Sequence, residues 1–99
     1  MFTLSITPYE RRYLQRVRDL LFHCQLVHTH LDWHETDQWL DTQTVPMRLA
    51  WYKGRLIGAL GVSAPLNRTC WVRLAVVQDH VDHAHVLRTM WDDLVFELR

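Results

Sequence analysis

Apolar residues recur along this chain in two rhythms, every second residue in some stretches and every third or fourth in others. Phe2-Thr3-Leu4-Ser5-Ile6 alternates, which predicts a short strand. Thr7-Pro8-Tyr9-Glu10 stops it. Thr7 is the expected N-cap of a helix, with Pro8 at the first helical position and Glu10 reaching back to the cap. The helix that follows carries Leu14, Val17, Leu21 and Cys24 at spacings of three and four, with Leu20 and Val27 beside them. Its polar face is Arg11, Arg12, Gln15, Arg16, Arg18 and Asp19. His34 to Leu40 reads as a short second helix capped by Asp32, and Asp41 to Thr44, before Pro46, as a loop.

From Met47 to Val77 the pattern turns to strands. Two apolar runs flank Lys53-Gly54, a pair that predicts a tight hairpin because Gly accepts positive φ without steric cost. In the first run Leu49 and Trp51 share one face, and Arg48, Ala50 and Tyr52 the other. The second, Leu56 to Val62, is nearly continuous in apolar residues, as in a central strand covered on both faces. Gly58 and Gly61 within it predict a bulge or a close backbone approach. The third run, 71–77, alternates Trp71, Arg73, Ala75 and Val77 with Val72, Leu74 and Val76. A final helix is expected to be capped at Asp79, with Asp82 three residues on, and to carry the stripe Leu87, Met90, Trp91, Leu94 and Leu98. The expected fold is α/β, more narrowly α+β: one domain over residues 1–99, a mainly antiparallel sheet flanked by helices, in the order β-α-α-β-β-β-α.

Composition supports a folded domain. Hydrophobic residues make up 48% of the 99, against 22% charged, too apolar for a disordered chain. Eleven basic residues balance eleven acidic ones. No net field therefore draws the chain to nucleic acid or to an anionic membrane, and the arginines of the first helix read as a solvated face. Cys24 and Cys70 are too few for a disulfide scaffold. With no secretory segment at the start and no apolar run of membrane-spanning length, the expected location is cytoplasmic.

Chemistry is sparser. His28-Thr29-His30-Leu31-Asp32-Trp33-His34 sets imidazoles and a carboxylate at every second position. It is similar to the opening metal motif of the metallo-β-lactamases, which however places a His directly after the Asp, where Trp33 stands here. The residues read as polar positions of a strand or loop, and no metal is expected. His80, His83 and His85 beside Asp79 and Asp82 read as the polar start of the last helix. Cys24 lies on an apolar stripe, where an inert thiol is the ordinary case. No residue stands out as a nucleophile or general base.

The hairpin Arg48 to Leu60, with its Gly54-Arg55-Leu56-Ile57-Gly58 centre, and the strand Trp71 to Val76 resemble the N-terminal half of the GNAT superfamily of N-acyltransferases. The resemblance implies acetyl-CoA as cofactor. It places the pantetheine against the backbone of Leu74, Ala75, Val76 and Val77, and the phosphates beside Asp79, His83, Ala84, His85 and Val86. The family's phosphate loop, R/Q-x-x-G-x-G/A, is altered here: Ala84 and Val86 replace both glycines, and Asp82 adds a negative charge. The family's fifth strand and later elements have no counterpart in the sequence. The 71–77 strand is therefore expected to be an open sheet edge, covered by a second copy of the chain or by a complementing polypeptide. The resemblance thus implies an N-acyltransferase-related protein, acyl-CoA-dependent only when completed by a second chain or copy. The alternative is a non-catalytic dimerisation or partner-binding module.

Overall fold

The computed structural model describes residues 3–24, 27–29, 38, 40–41, 46–62 and 72–98. Its strands are β1 (Ser5–Pro8), β2 (Val27–Thr29), β3 (Met47–Tyr52), β4 (Arg55–Val62) and β5 (Val72–Val77). Its α-helices are α1 (Leu14–His23) and α2 (His83–Leu98), with a 3-10 turn at Arg11–Tyr13 leading into α1. The strands form one sheet in the order β1-β3-β4-β5-β2, every neighbouring pair antiparallel. The fold is α+β, a mainly antiparallel sheet with a helix on each face.

Alternation along β3 divides the core in two. Met47 and Leu49 join Ala59, Leu74 and Val76 under Val17, Leu20 and Leu21 of α1. Ala50 joins Ile57, Leu60, Val62 and Val77 under Val86, Met90 and Leu94 of α2. Leu49, Leu74 and Leu94 are fully buried, and each such side chain contributes about 1.5–3 kcal/mol relative to exposure. Lys53 (φ 50°) and Gly54 (φ 78°) both take left-handed backbone between the paired residues Tyr52 and Arg55. This is the two-residue turn that the right-handed twist of a hairpin favours.

Gly58 fulfils both expectations placed on it. Ala50 pairs with Gly58 but Trp51 with Leu56, so Ile57 is an extra residue in β4. On the α2 side, a Cβ at Gly58 would lie 2.9 Å from Val86 Cγ1 and 3.1 Å from Met90 Cε. The missing side chain is what lets α2 sit against the sheet. Arg48, on the same face, is 6% exposed. Its Nε donates to Asp93 Oδ1 at 2.7 Å, tying α2 to β3.

Several expectations are corrected. The first strand runs through Pro8, which pairs with Arg48; an edge strand tolerates proline. Thr7 caps no helix, because its hydroxyl accepts from Trp51 Nε1 at 2.8 Å. Glu10, with extended backbone, precedes the helical turn instead. A second bulge, at Arg73, pairs Gly61 with Leu74 but Val62 with Val72. Val72 therefore packs with Ala75 on the α2 face rather than with Leu74. The cap of α2 is Asp82, whose Oδ1 accepts from the His85 amide at 3.1 Å, and not Asp79. The buried stripe of α2 is Val86, Met90 and Leu94; Trp91 is 38% exposed. Close contact at Gly58 turns the helix this way.

The largest correction concerns β5. Its outer side is not an open edge: Val27, His28 and Thr29 pair with Val76, Ala75 and Leu74. The expected second helix lies mostly outside the described residues. Within it Gln38 and Leu40 are helical, and so is Asp41, expected in the following loop; Leu40 is buried, its carbonyl accepting from Tyr9 Oη at 2.8 Å.

Candidate ligand cleft

Three segments distant in sequence converge at the end of the sheet where β5 finishes. Helix α1 brings Arg16, Asp19, Leu20 and His23, and its C-cap brings Cys24. The hairpin turn brings Gly54, Arg55 and Leu56. The loop after β5 brings Gln78, Asp79 and His80. They line an open cleft of about 570 Å³, the volume of a small-molecule site.

Each wall is held from behind. Leu20 belongs to the core under α1, and Leu56 packs against that core. The Gln78 amide donates to the Ile57 carbonyl at 2.7 Å, continuing the β4–β5 ladder into the loop. The Gln78 carbonyl accepts from His83 Nε2 at 3.0 Å. His80 turns the chain with φ 69°, a left-handed conformation that His adopts more readily than most residues.

Arg16 stacks its guanidinium over the Trp51 ring, 5.5 Å from the centroid. Tyr13 meets the same ring edge-on at 5.1 Å. Among the described residues neither Arg16 nor Arg55 has a carboxylate partner. Arg11 and Arg12 differ: they pair with Asp41 at 2.8 Å and with Glu10 at 2.6 Å. Asp19 accepts from Gln15 Nε2 at 3.0 Å, and Asp79 is also engaged. Burial pushes the Cys24 thiol up, and the Asp79 carboxylate pushes it further, while a hydrogen bond from the Asp79 backbone pulls the other way. Cys24 is thus protonated at neutral pH and unsuited to nucleophilic attack.

The side chains of the residues expected to hold acetyl-CoA do not share one face. Leu74 and Val76 are buried under α1, and Val77 and Val86 under α2; Ala75 packs on the α2 side. His83 is turned to the Gln78 carbonyl. Ala84 and His85 are exposed on α2. His85 borders a separate depression with His80, Val81 and Asp82, while Asp79 belongs to the cleft beside Cys24. Arg16 and Arg55 were not legible as site residues, because one reads as solvated helix surface and the other as hairpin. No spacing in the sequence links positions 16, 55 and 79.

The His28–His34 cluster lies outside the described residues, apart from the β2 backbone at His28 and Thr29. Among the described residues no group of three or more His, Cys, Asp or Glu side chains is placed to hold a metal. None of their helices is long and apolar enough to cross a membrane. Compared with known proteins, the chain matches no family model, no curated protein and no solved structure.

Proposed function

We propose that this chain is a GNAT-like half domain acting as a binding module, without acyl-CoA chemistry of its own. The order β1-β3-β4-β5, followed in the chain by α2 on one face, supports the GNAT-like part. The observation that carries the rest is at β5. Acyl-CoA would need the outer backbone of Leu74 to Val77 for its pantetheine and the amino end of α2 for its phosphates. The first is paired with β2 from Leu74 to Val76. The second already holds the Asp82 carboxylate, which satisfies a free N–H and repels phosphate.

The second reading is an N-acyltransferase completed by another copy or another polypeptide, and the strand order favours it. The completing chain would have to displace Val27–Thr29 from β5, a pairing of three residues.

Titration of acetyl-CoA into ¹⁵N-labelled protein separates the two. The binding-module reading expects no saturable amide shifts at Ala75, Val77 or Ala84 to Val86. Saturable shifts there, with release of CoA in the presence of an amine, would establish the enzyme reading instead.

A further inference from the structure

We propose that the cleft between α1, the β3–β4 turn and the β5–α2 loop binds an organic anion, a carboxylate or phosphate ester carried on an apolar body. The proposal goes beyond the function reading above and does not depend on it, since the cleft includes neither the outer edge of β5 nor the amino end of α2.

Unpaired donors select the sign of the ligand. Arg16 and Arg55 line one concave surface and have no carboxylate partner among the described residues. An anion in the cleft would accept charge-assisted hydrogen bonds from these guanidinium groups. The carboxylates on the same walls, Asp19 and Asp79, lower the local positive charge but pair with neither arginine. Asp19 is taken up by Gln15, and Asp79 is engaged beside Cys24. His23 and His80 add imidazole N–H groups with no hydrogen-bond partner among the described residues. These groups donate to an anion whether neutral or protonated.

Shape and surface select the rest. Leu20 and Leu56 supply an apolar floor, and the Trp51 ring beneath Arg16 holds that guanidinium in place. A stacked guanidinium loses less freedom on binding than a free one. A volume of about 570 Å³ exceeds what an inorganic ion needs and suits an anion bearing a ring or short chain.

The test titrates phenyl phosphate and benzoate into ¹⁵N-labelled protein, with benzyl alcohol and benzylamine as uncharged and cationic controls. Saturable shifts are expected at the amides of Leu20, Cys24, Gly54 and His80 with at least one anion and with neither control. Phenyl phosphate alone acting assigns a phosphate ligand, and benzoate alone a carboxylate. Either result upholds the proposal. Arg55→Gln and Arg16→Gln should each weaken the anion about tenfold, the usual loss for one charged hydrogen bond. Arg55 is exposed, so its variant keeps the fold even where Arg16→Gln disturbs the Trp51 stack. Absence of saturable shifts at millimolar anion would overturn the proposal. So would equal shifts with benzyl alcohol, or an unchanged affinity in Arg55→Gln.

Discussion

Gly58→Ala is the smallest change that should loosen α2 from the sheet. The added Cβ would stand 2.9 Å from Val86 Cγ1, 3.1 Å from Met90 Cε and 3.5 Å from Ala50 Cβ. Carbon atoms in ordinary contact sit about 3.5–4.0 Å apart. Met90 can withdraw its terminal methyl, because its side chain is unbranched and flexible. Val86 cannot do so cheaply: a β-branched residue in a helix has one strongly preferred rotamer. Either Val86 leaves that rotamer or α2 shifts outward, and overpacking of this kind costs about 1–3 kcal/mol. One term opposes the loss. Gly58 lies outside the left-handed region, so Ala restricts the unfolded chain and returns about 0.4–1 kcal/mol. The expected net destabilisation is about 1–2 kcal/mol, a fall in melting temperature of about 4–8 °C per kcal/mol for a domain this size. Urea unfolding gives the free energy. A double-mutant cycle with Val86→Ala tests the cause, and the pair should be less destabilised than the sum of the singles by at least about 0.5 kcal/mol. Gly58→Ala as stable as the parent, or a cycle with no coupling, would refute the close packing argued here.

The Arg48–Asp93 pair joins a buried group to a half-exposed one, so Asp93→Ala should cost about 1–2 kcal/mol in urea unfolding. Adding Arg48→Met should recover part of that, since no buried charge is then left unpaired. Asp82→Ala removes the side chain that accepts from the His85 amide and should cost about 0.5–2 kcal/mol; a null result by thermal melting would remove Asp82 as the cap. In a Cys70→Ser background, Cys24 should react with iodoacetamide more slowly at neutral pH than a cysteine in a short peptide, because its pKa is raised and less thiolate is present. Asp79→Asn should move the rate profile to lower pH by removing the charge that, with burial, raises that pKa, and an upward move would contradict the assigned neighbour.

Local signals made most of the frame legible. Lys53-Gly54 marked the hairpin because both residues must take positive φ there. The α1 stripe came from spacing alone, and Val17, Leu20 and Leu21 are its buried residues. Signals failed where a single residue changes the phase. The bulge at Ile57 leaves no gap in an apolar run, and the one at Arg73 reads as an ordinary polar position of an alternating strand, so Val72 was assigned to the wrong face. The stripe of α2 was read around Leu87 and Trp91, but its orientation is set by the bare backbone of Gly58 on another element. Val27-His28-Thr29 is too short to show a period, and its strand exists because β5 offers an edge to pair with. The cleft was least legible: Arg16, Arg55 and Asp79 meet only through tertiary structure. The resemblance directed attention to the loop after β5, where Asp79 and His80 contribute, but not to the α1 side of it.

Strand β5 lies inside the sheet, its outer backbone paired from Leu74 to Val76. NOE spectroscopy with hydrogen exchange tests it most directly, on the free protein and again in millimolar acetyl-CoA. Cross-strand contacts of Val27 with Val76 and of His28 with Ala75 are expected, with slow exchange through Leu74 to Val76 and no change on adding acetyl-CoA. Missing contacts with fast exchange in the free protein, or their loss when acetyl-CoA is added, would contradict it.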